Sequence, residues 1–359
     1  MSCTAPVCFI VPPDLLLKVA LEGTHEQREG AIGTLTLSAA VRARRSLVSR
    51  LMGELDQDVQ ALSVTPPQTG EQLSVYDVQG GREPELPGVL AREAGGAESA
   101  DDAVNQAYEG ADATYRFYKE VFDRDSIDGQ GMEVVSSVHF ARRFGNAFWD
   151  QALGQMVYGD GGDGVIAVGR LTAAIDVIGH ELTHGVTGHT AKLEYSFQSG
   201  ALNESMSDVF GSLIKQRSLG QTAKEADWLI GQGIMEEGHG NALRSMSDPG
   251  HARPGDMQPA HMDQFWTPDP NGPLFDAGGV HINSGIPNRA FYLAASAIGG
   301  NAWEKAGRIW YVTLTDQLGP KSQFEDAAKT TVEVAGSLFP GGPEQEAVHQ
   351  AWQTVGVLA

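Results

Sequence analysis

Residues 173–188 read A-A-I-D-V-I-G-H-E-L-T-H-G-V-T-G, and at their centre stands H-E-x-x-H: His180, Glu181, Leu182, Thr183 and His184. Ala173, Ala174 and Ile175 propagate helix and Gly188 is placed to end it, so the stretch predicts a helix over 173–188. Residues four apart share a helix face, so the two imidazoles can close on one ion. Glu181 falls about 100° round the helix from His180, near the ion but outside its ligand shell. That is where a base belongs if it is to take a proton from an activated water.

Two histidines at i and i+4 also arise by chance, and the following segment decides. Residues 199–214 read S-G-A-L-N-E-S-M-S-D-V-F-G-S-L-I, with Glu204 nineteen intervening residues after His184 and Asp208 four further on, on the same face. Glu204 from a second helix completes a His₂Glu set for one catalytic Zn²⁺, with a position left for water. Asp208 can accept the free ring N–H of a ligand histidine and fix its tautomer.

These two motifs together resemble the thermolysin family of zinc endopeptidases. The likeness continues in N-A-F-W-D (146–150), M-V-Y-G-D-G (156–161), L-R-S-M-S-D-P (243–249) and G-G-V-H-I-N-S-G-I-P-N-R-A-F-Y (278–292), and spans roughly residues 70 to 359. The resemblance implies an α+β, two-lobed fold, with a strand-rich N-terminal lobe, a helical C-terminal lobe and the zinc helix between them. It implies that Tyr195 and His281 donate to the oxyanion and that Asp276 orients His281. It gives Asn146 and the Ala147 backbone the role of pairing with the substrate as an added strand, and Arg244 that of holding the carbonyl after the cut. Val168, Leu171, Val177 and Leu243 align with the wall of the pocket for the side chain following the cut. All four are aliphatic, which predicts broad cleavage before bulky apolar residues.

The net charge of −21 argues against nucleic acid and anionic membrane surfaces, and no apolar run is long enough to span a bilayer. The expected partners are protein or peptide substrates, and the expected state is a monomer. The only cysteines are Cys3 and Cys8, which excludes a disulfide scaffold for the body of the chain. The start, M-S-C-T-A-P-V-C-F-I-V-P-P, has no basic n-region and does not read as a secretory signal. Secretion is the rule in the family, with a cytoplasmic location as the alternative.

Residues 1–50 carry a net charge of +2 against −23 for the remainder. C-F-I-V-P-P-D-L-L resembles the short propeptide of protealysin-like members, so residues 1–62 are expected to be an intramolecular inhibitor removed on maturation. The N-terminal catalytic lobe is then 63–190 and the helical lobe 191–359. Within the first unit, a short helix starts at Pro13, and a second is expected over 39–55 with Ser38 as its cap. Cleavage is expected after it, with Leu47, Leu51 and Leu62 as candidate new N-termini beside the polar linker 63–72. Cys3 or Cys8 could cap the zinc as a thiolate, but Cys8 also reads as a small apolar core residue.

Further along, 73–92 alternates as strand and turn with Gly80–Gly81 a hairpin candidate, 98–122 reads as helix and 132–142 as strand. Residues 156–164 read as a plain tight turn rather than a calcium loop. The second half predicts helices over 201–217, 283–298, 302–317, 322–338 and 343–354. One departure from the family is plain. Asp176 and Asp227 match calcium ligands, but Lys215, Leu229 and Gln232 stand at other matching positions. Hard cations need oxygen donors, so calcium binding is doubtful. Two other readings stay open: a non-catalytic binding or regulatory relative of the same fold, and a zinc hydrolase of another scissile bond.

Overall fold

The computed structural model describes residues 7–55, 72–82, 85–272 and 274–359. Cys3, Leu62, the boundary between 62 and 63, and linker residues 63–71 lie outside them. The chain opens with strand β1 (Val7–Phe9) and helices α1 (Pro13–Glu22) and α2 (His25–Leu55). Pro13 starts α1, a position whose N–H has no helical partner to lose.

Helix α2 is longer than the predicted 39–55: it starts at His25, and Ser38 is a buried mid-helix residue rather than a cap. Packing overrides propensity here. A Cβ on Gly30 would lie 1.8 Å from the carbonyl oxygen of Asp163, so the glycine lets α2 press onto the loop 159–164. One turn on, Thr34 Oγ1 donates to Asp163 Oδ2 at 2.8 Å. Leu47 and Leu51 fall within α2.

Strands β2 (Leu73–Asp77) and β3 (Val89–Glu93), helix α3 (Asp102–Phe122), and strands β4 (Val134–Val138), β5 (Ala147–Asp150) and β6 (Gln155–Tyr158) follow. The sheet order is β1-β5-β6-β4-β2-β3. Strand β2 pairs antiparallel with β3, but the chain returns only at Val89, well past the turn at Gly80–Gly81. Helix α3 begins at Asp102 rather than 98 because Asp101 caps it, accepting from the Ala103 N–H at 2.8 Å. Strand β1 joins the edge of β5 antiparallel, with Val7 opposite Asp150, Cys8 opposite Trp149 and Phe9 opposite Phe148.

The predicted 173–188 helix is two pieces. Helix α4 (Arg170–Ala173) is separated from α5 (Ile175–His189) by Ala174, which is extended at φ −97°, ψ 101°. Gly188 does not end α5 but lies inside it, where a Cβ would meet the Gln151 side chain at 2.2 Å. Helix α6 (Phe197–Leu219) comes next, then α7 (Asp276–Asn283), α8 (Gly285–Ile298), α9 (Ala306–Val312), α10 (Phe324–Leu338) and α11 (Glu344–Thr354). The predicted 302–317 helix is shortened to α9, which widens into a π turn over Thr313–Gln317. Strands β7 (Leu229–Ile230) and β8 (Arg244–Ser245) form a separate small sheet.

One continuous core joins the sheet to the helices. Phe122 stacks on Tyr311 with ring centroids 4.1 Å apart, fastening α3 to the π turn's approach. Ile10, Val11, Leu15, Leu16 and Val19 of the N-terminal segment belong to the same core. Each such side chain stabilises the docked segment by roughly 1.5–3 kcal/mol relative to exposure.

Candidate metal centre and substrate groove

Two glycines set the spacing of the helices that carry the site. A Cβ on Gly179 of α5 would lie 3.2 Å from the Gly211 Cα of α6, and one on Gly211 would lie 2.5 Å from the Asp176 carbonyl oxygen. This close approach brings His180 and His184 against Glu204. The three residues are buried, and their ligand atoms all lie within 4.8 Å of one another. His180 Nε2 is 3.5 Å from Glu204 Oε2, and His184 Nε2 is 3.5 Å from Glu204 Oε1.

The other ring nitrogens are committed elsewhere. His180 Nδ1 donates to Asp208 Oδ1 at 2.8 Å, and His184 Nδ1 faces Asn203 Oδ1 at 2.8 Å and Ser207 Oγ at 3.0 Å. Both Nε2 atoms are thereby presented as lone pairs to one point. Burial holds His184 neutral, pulling it down to about 3 against the opposing pull of Glu204. Burial raises Glu204, but His281, His184 and His180 outweigh it and keep the carboxylate ionised. Glu204 Oε2 has no hydrogen-bond partner among the described residues, although it is buried. An orphaned carboxylate oxygen between two imidazole lone pairs fits a bound Zn²⁺, whose preferred donors these are.

Glu181 stands beside this group, and its Oε2 accepts from the Trp149 N–H of β5 at 2.9 Å. Its Oε1 is buried without a partner among the described residues. Burial, reinforced by Glu204, raises its carboxyl well above the ordinary range. A carboxylate poised in this way suits a base that must take up and return a proton.

Residues 61–188 match the thermolysin metallopeptidase catalytic domain, and residues 191–357 match the thermolysin metallopeptidase alpha-helical domain. An extracellular metalloprotease of Pectobacterium carotovorum subsp. carotovorum is 43% identical over 98% of this chain and 97% of its own length. Protease PrtS of Photorhabdus sp. (strain Az29) is 42% identical over 97% of this chain and 91% of its own. The solved precursor of protealysin, a metalloproteinase from Serratia proteamaculans, superposes with a TM-score of 0.83 at 42% identity, covering 98% of this chain and 99% of that one. The chain belongs to the thermolysin metallopeptidase family. It is a metalloprotease of that family in a latent precursor form, with a sheet-rich N-terminal domain and a helical C-terminal domain. The family implies a catalytic zinc, and His180, His184 and Glu204 form the site that can hold it.

The chain's own N-terminal segment lies across Asn146, Ala147, Arg244 and His281. Asn146 Oδ1 accepts from the Val11 N–H at 3.0 Å, and the Ala147 carbonyl accepts from the Ile10 N–H at 3.2 Å. Arg244 Nη1 donates to the Ile10 carbonyl at 3.0 Å, and His281 Nε2 donates to the Phe9 carbonyl at 2.8 Å. Asp276 Oδ1 lies 2.5 Å from His281 Nδ1, and its Oδ2 accepts the His281 backbone N–H. Burial disfavours the His281 cation, but Glu204 and Asp276 raise it to about 9. Tyr195 donates its hydroxyl to Glu204 and lies 3.4 Å from His281 Nε2.

Leu171, Val177 and Leu243 are buried in the same apolar cluster as Ile10. Val168 is not: it is 72% exposed on the loop before α4 and forms no part of an enclosed wall in the precursor. Cys8 is a buried free thiol that is not one of the three grouped ligands. Burial, then Glu204 and Glu181, push it well above the ordinary thiol range. The turn predicted over 156–164 is shorter: residues 156–158 belong to β6, which pairs with β5 and β4. The loop is 159–164, its Asp163 satisfied by the Val165 and Ile166 amides and by Thr34.

Three polar residues at the site escaped sequence reasoning. Asn203 and Ser207 hold His184, and Asn288 donates to Asp208 Oδ2 at 2.8 Å. The signal for the first two was available. They are four apart on α6, each one position before a residue already singled out. Asn288 offered no spacing to read. Arg244 has a second contact beyond its expected one, donating through Nε and Nη2 to both oxygens of Asp208 at 2.9 Å.

At the positions that match the family's calcium ligands, Lys215 Nζ lies 2.9 Å from Asp227 Oδ2 and 3.4 Å from Asp176 Oδ2. It also donates to the Leu229 carbonyl at 3.1 Å.

Proposed function

We propose that the mature enzyme is a broad zinc endopeptidase that cuts peptides on the N-terminal side of bulky apolar residues, with Glu181 as base. The observation that carries this reading is the set of four contacts made to Phe9, Ile10 and Val11 beside Glu181 and the His₂Glu group. In this reading His180, His184 and Glu204 hold the zinc, which when bound polarises the scissile carbonyl and acidifies the attacking water. Glu181 takes the water proton and passes it to the leaving nitrogen. His281, raised by Glu204 and by Asp276, and Tyr195 donate to the oxygen that becomes negative. Asn146, the Ala147 carbonyl and Arg244 pair with the substrate backbone as an added strand. Leu171, Val177 and Leu243 select apolar side chains, with Val168 at the rim.

Residues 1–62 are read as the propeptide, 63–190 as the first catalytic lobe and 191–359 as the second. The start of the catalytic-domain match at residue 61 supports that division. Lys215 takes over charge balance from calcium, so zinc is the one ion required. The enzyme is read as a monomer acting on proteins and peptides, with neither nucleic acid nor membrane as partner. Export is favoured by the name of the Pectobacterium relative, with the cytoplasm as the alternative.

The test is casein digestion by the processed enzyme, blocked by phenanthroline and restored by zinc. A Glu181→Ala protein should retain one zinc and lose at least about 10²-fold in turnover, the lower end of what a general base contributes. Zinc retained with near-normal turnover would remove Glu181 from the base role.

A further inference from the structure

The five residues Val7–Val11 do more than fill the groove: they lie in it in one register and one direction. Strand β1 runs antiparallel to β5, Phe9 opposite Phe148. Its last carbonyl, that of Phe9, receives the His281 Nε2 hydrogen bond at 2.8 Å. The next amide, Ile10 N–H, donates to the Ala147 carbonyl of β5 at 3.2 Å, and Glu181 is held against the same strand by the Trp149 N–H, opposite Cys8. The next carbonyl, Ile10 C=O, is taken by Arg244, and the next amide, Val11 N–H, by Asn146. His281 therefore holds the carbonyl of the Phe9–Ile10 peptide bond, Ala147 and Arg244 hold the residue after it, and Glu181 stands against the strand alongside. The Phe9 ring packs 5.0 Å from that of Phe148, with Arg42 over the ring at 4.6 Å, and Ile10 is fully buried.

We infer that Phe9–Ile10 is held as a scissile bond, and that the zinc-loaded precursor cuts itself there without releasing its inhibitor. The inference rests on the peptidase reading above and adds to it the bond, the register and the consequence. Water adds its oxygen to the Phe9 carbonyl carbon, and the Phe9–Ile10 C–N bond breaks. Glu181 takes one proton from the water and delivers it to the Ile10 nitrogen as the bond breaks. The second water proton then leaves the new Phe9 carboxyl for the freed amine, giving a Phe9 carboxylate and an Ile10 ammonium.

Both new ends stay pinned by contacts outside the reacting centre. On the far side of the cut, Leu15, Leu16 and Val19 are in the core, and Asp14 Oδ2 accepts from Arg253 Nη2 at 2.5 Å. Arg45 Nη2 of α2 lies 2.7 Å from Asp150 Oδ2. On the near side, β1 keeps its ladder with β5. The nicked chain therefore remains latent, and the site's own preference includes an aromatic residue before the cut and a β-branched aliphatic one after it.

The full-length chain is the material for the test. Metal-free, its Ile10 and Val11 amides should exchange hydrogen at least about tenfold more slowly than in an Asn146→Ala, Arg244→Ala chain. Equal exchange would discard the register. Loaded with zinc and followed by mass under denaturing conditions, it should lose residues 1–9 and gain an N-terminus at Ile10. The rate should be unchanged on tenfold dilution, and the product absent from a Glu181→Ala chain. A chain that matures and digests casein while this bond stays whole would overturn the inference and leave the peptidase reading standing. A rate that falls with dilution would also overturn it, because the cut would then come from another molecule. A zinc-loaded, processed enzyme that leaves casein intact would remove the peptidase reading itself, and the inference with it.

Discussion

Asp208 is the busiest side chain at the metal centre. It accepts from His180 Nδ1, from Arg244 through two nitrogens and from Asn288. Burial raises it, but Arg244 and His180 together hold it far below the ordinary carboxylate range. It acts as the fixed anion that orients both His180 and Arg244, the arginine that holds the Ile10 carbonyl. Asp208→Ala should therefore lower zinc affinity by about 10–100-fold and also raise KM, because Arg244 loses its anchor. Competition with a chelator measures the first effect and peptide kinetics the second. Unchanged zinc affinity would reduce Asp208 to a partner of Arg244. His180, Glu181, His184 and Glu204 were legible in sequence because a helix turns spacing into direction. Asn288 was not, because it reaches Asp208 across a loop-defined distance from a helix whose position no local pattern encodes.

At the scale of elements, the long helices and strands β2 to β4 were legible from periodicity. Strands β1 and β6 were not, because their residues pair with β5 rather than showing a pattern of their own, and the other misreadings fall where two elements touch. Helix α2 starts fourteen residues early because Gly30 packs on the 159–164 loop, a contact that propensity cannot see. His139 is a second such junction. At φ 59° it sits just after β4, with Nδ1 2.8 Å from Asp160 and Nε2 2.9 Å from Asp101, the cap of α3. Asp160 raises it to about 9, against partial burial and with help from Asp101. A histidine raised from about 6.5 contributes its full stability below that pH and loses it as pH climbs through about 9. His139→Gln should thus lower Tm more at pH 6 than at pH 10. An equal loss at both would show the ring to be a neutral spacer. Lys215 makes the third junction, joining α6 to Asp176 of α5 and to Asp227. A calcium-selective chelator that leaves zinc in place should leave Tm unchanged, whereas a large drop would restore calcium to this position.

For the molecule as a whole, the question is what holds a mildly basic N-terminal unit on a strongly acidic body tightly enough to keep it latent. Long-range attraction between +2 and −23 steers the two together, but physiological salt screens it beyond about 8 Å. Buried contacts must do the holding. Asp14 of α1 and Arg253 form one of them, with side chains 7% and 2% exposed. Removing one partner of a buried pair leaves the other charge uncompensated, at a cost of roughly 3–5 kcal/mol. Undocking returns Arg253 to water, so that cost falls on the latent state alone. Asp256 also couples to Arg253, which puts the expected cost at the lower end, about 3 kcal/mol. Asp14→Ala should then raise the open fraction of unprocessed precursor by about 10²-fold, since each 1.4 kcal/mol is a factor of ten. The measurement is peptide hydrolysis by freshly purified zinc-loaded chain, compared with Lys18→Ala, which removes the exposed ion pair with Glu22 and the stem lying along Gly255 but no buried charge, and should change little. If the two variants leak equally, latency is carried by the apolar residues in the groove, and the buried pair serves only to set the angle at which α1 docks.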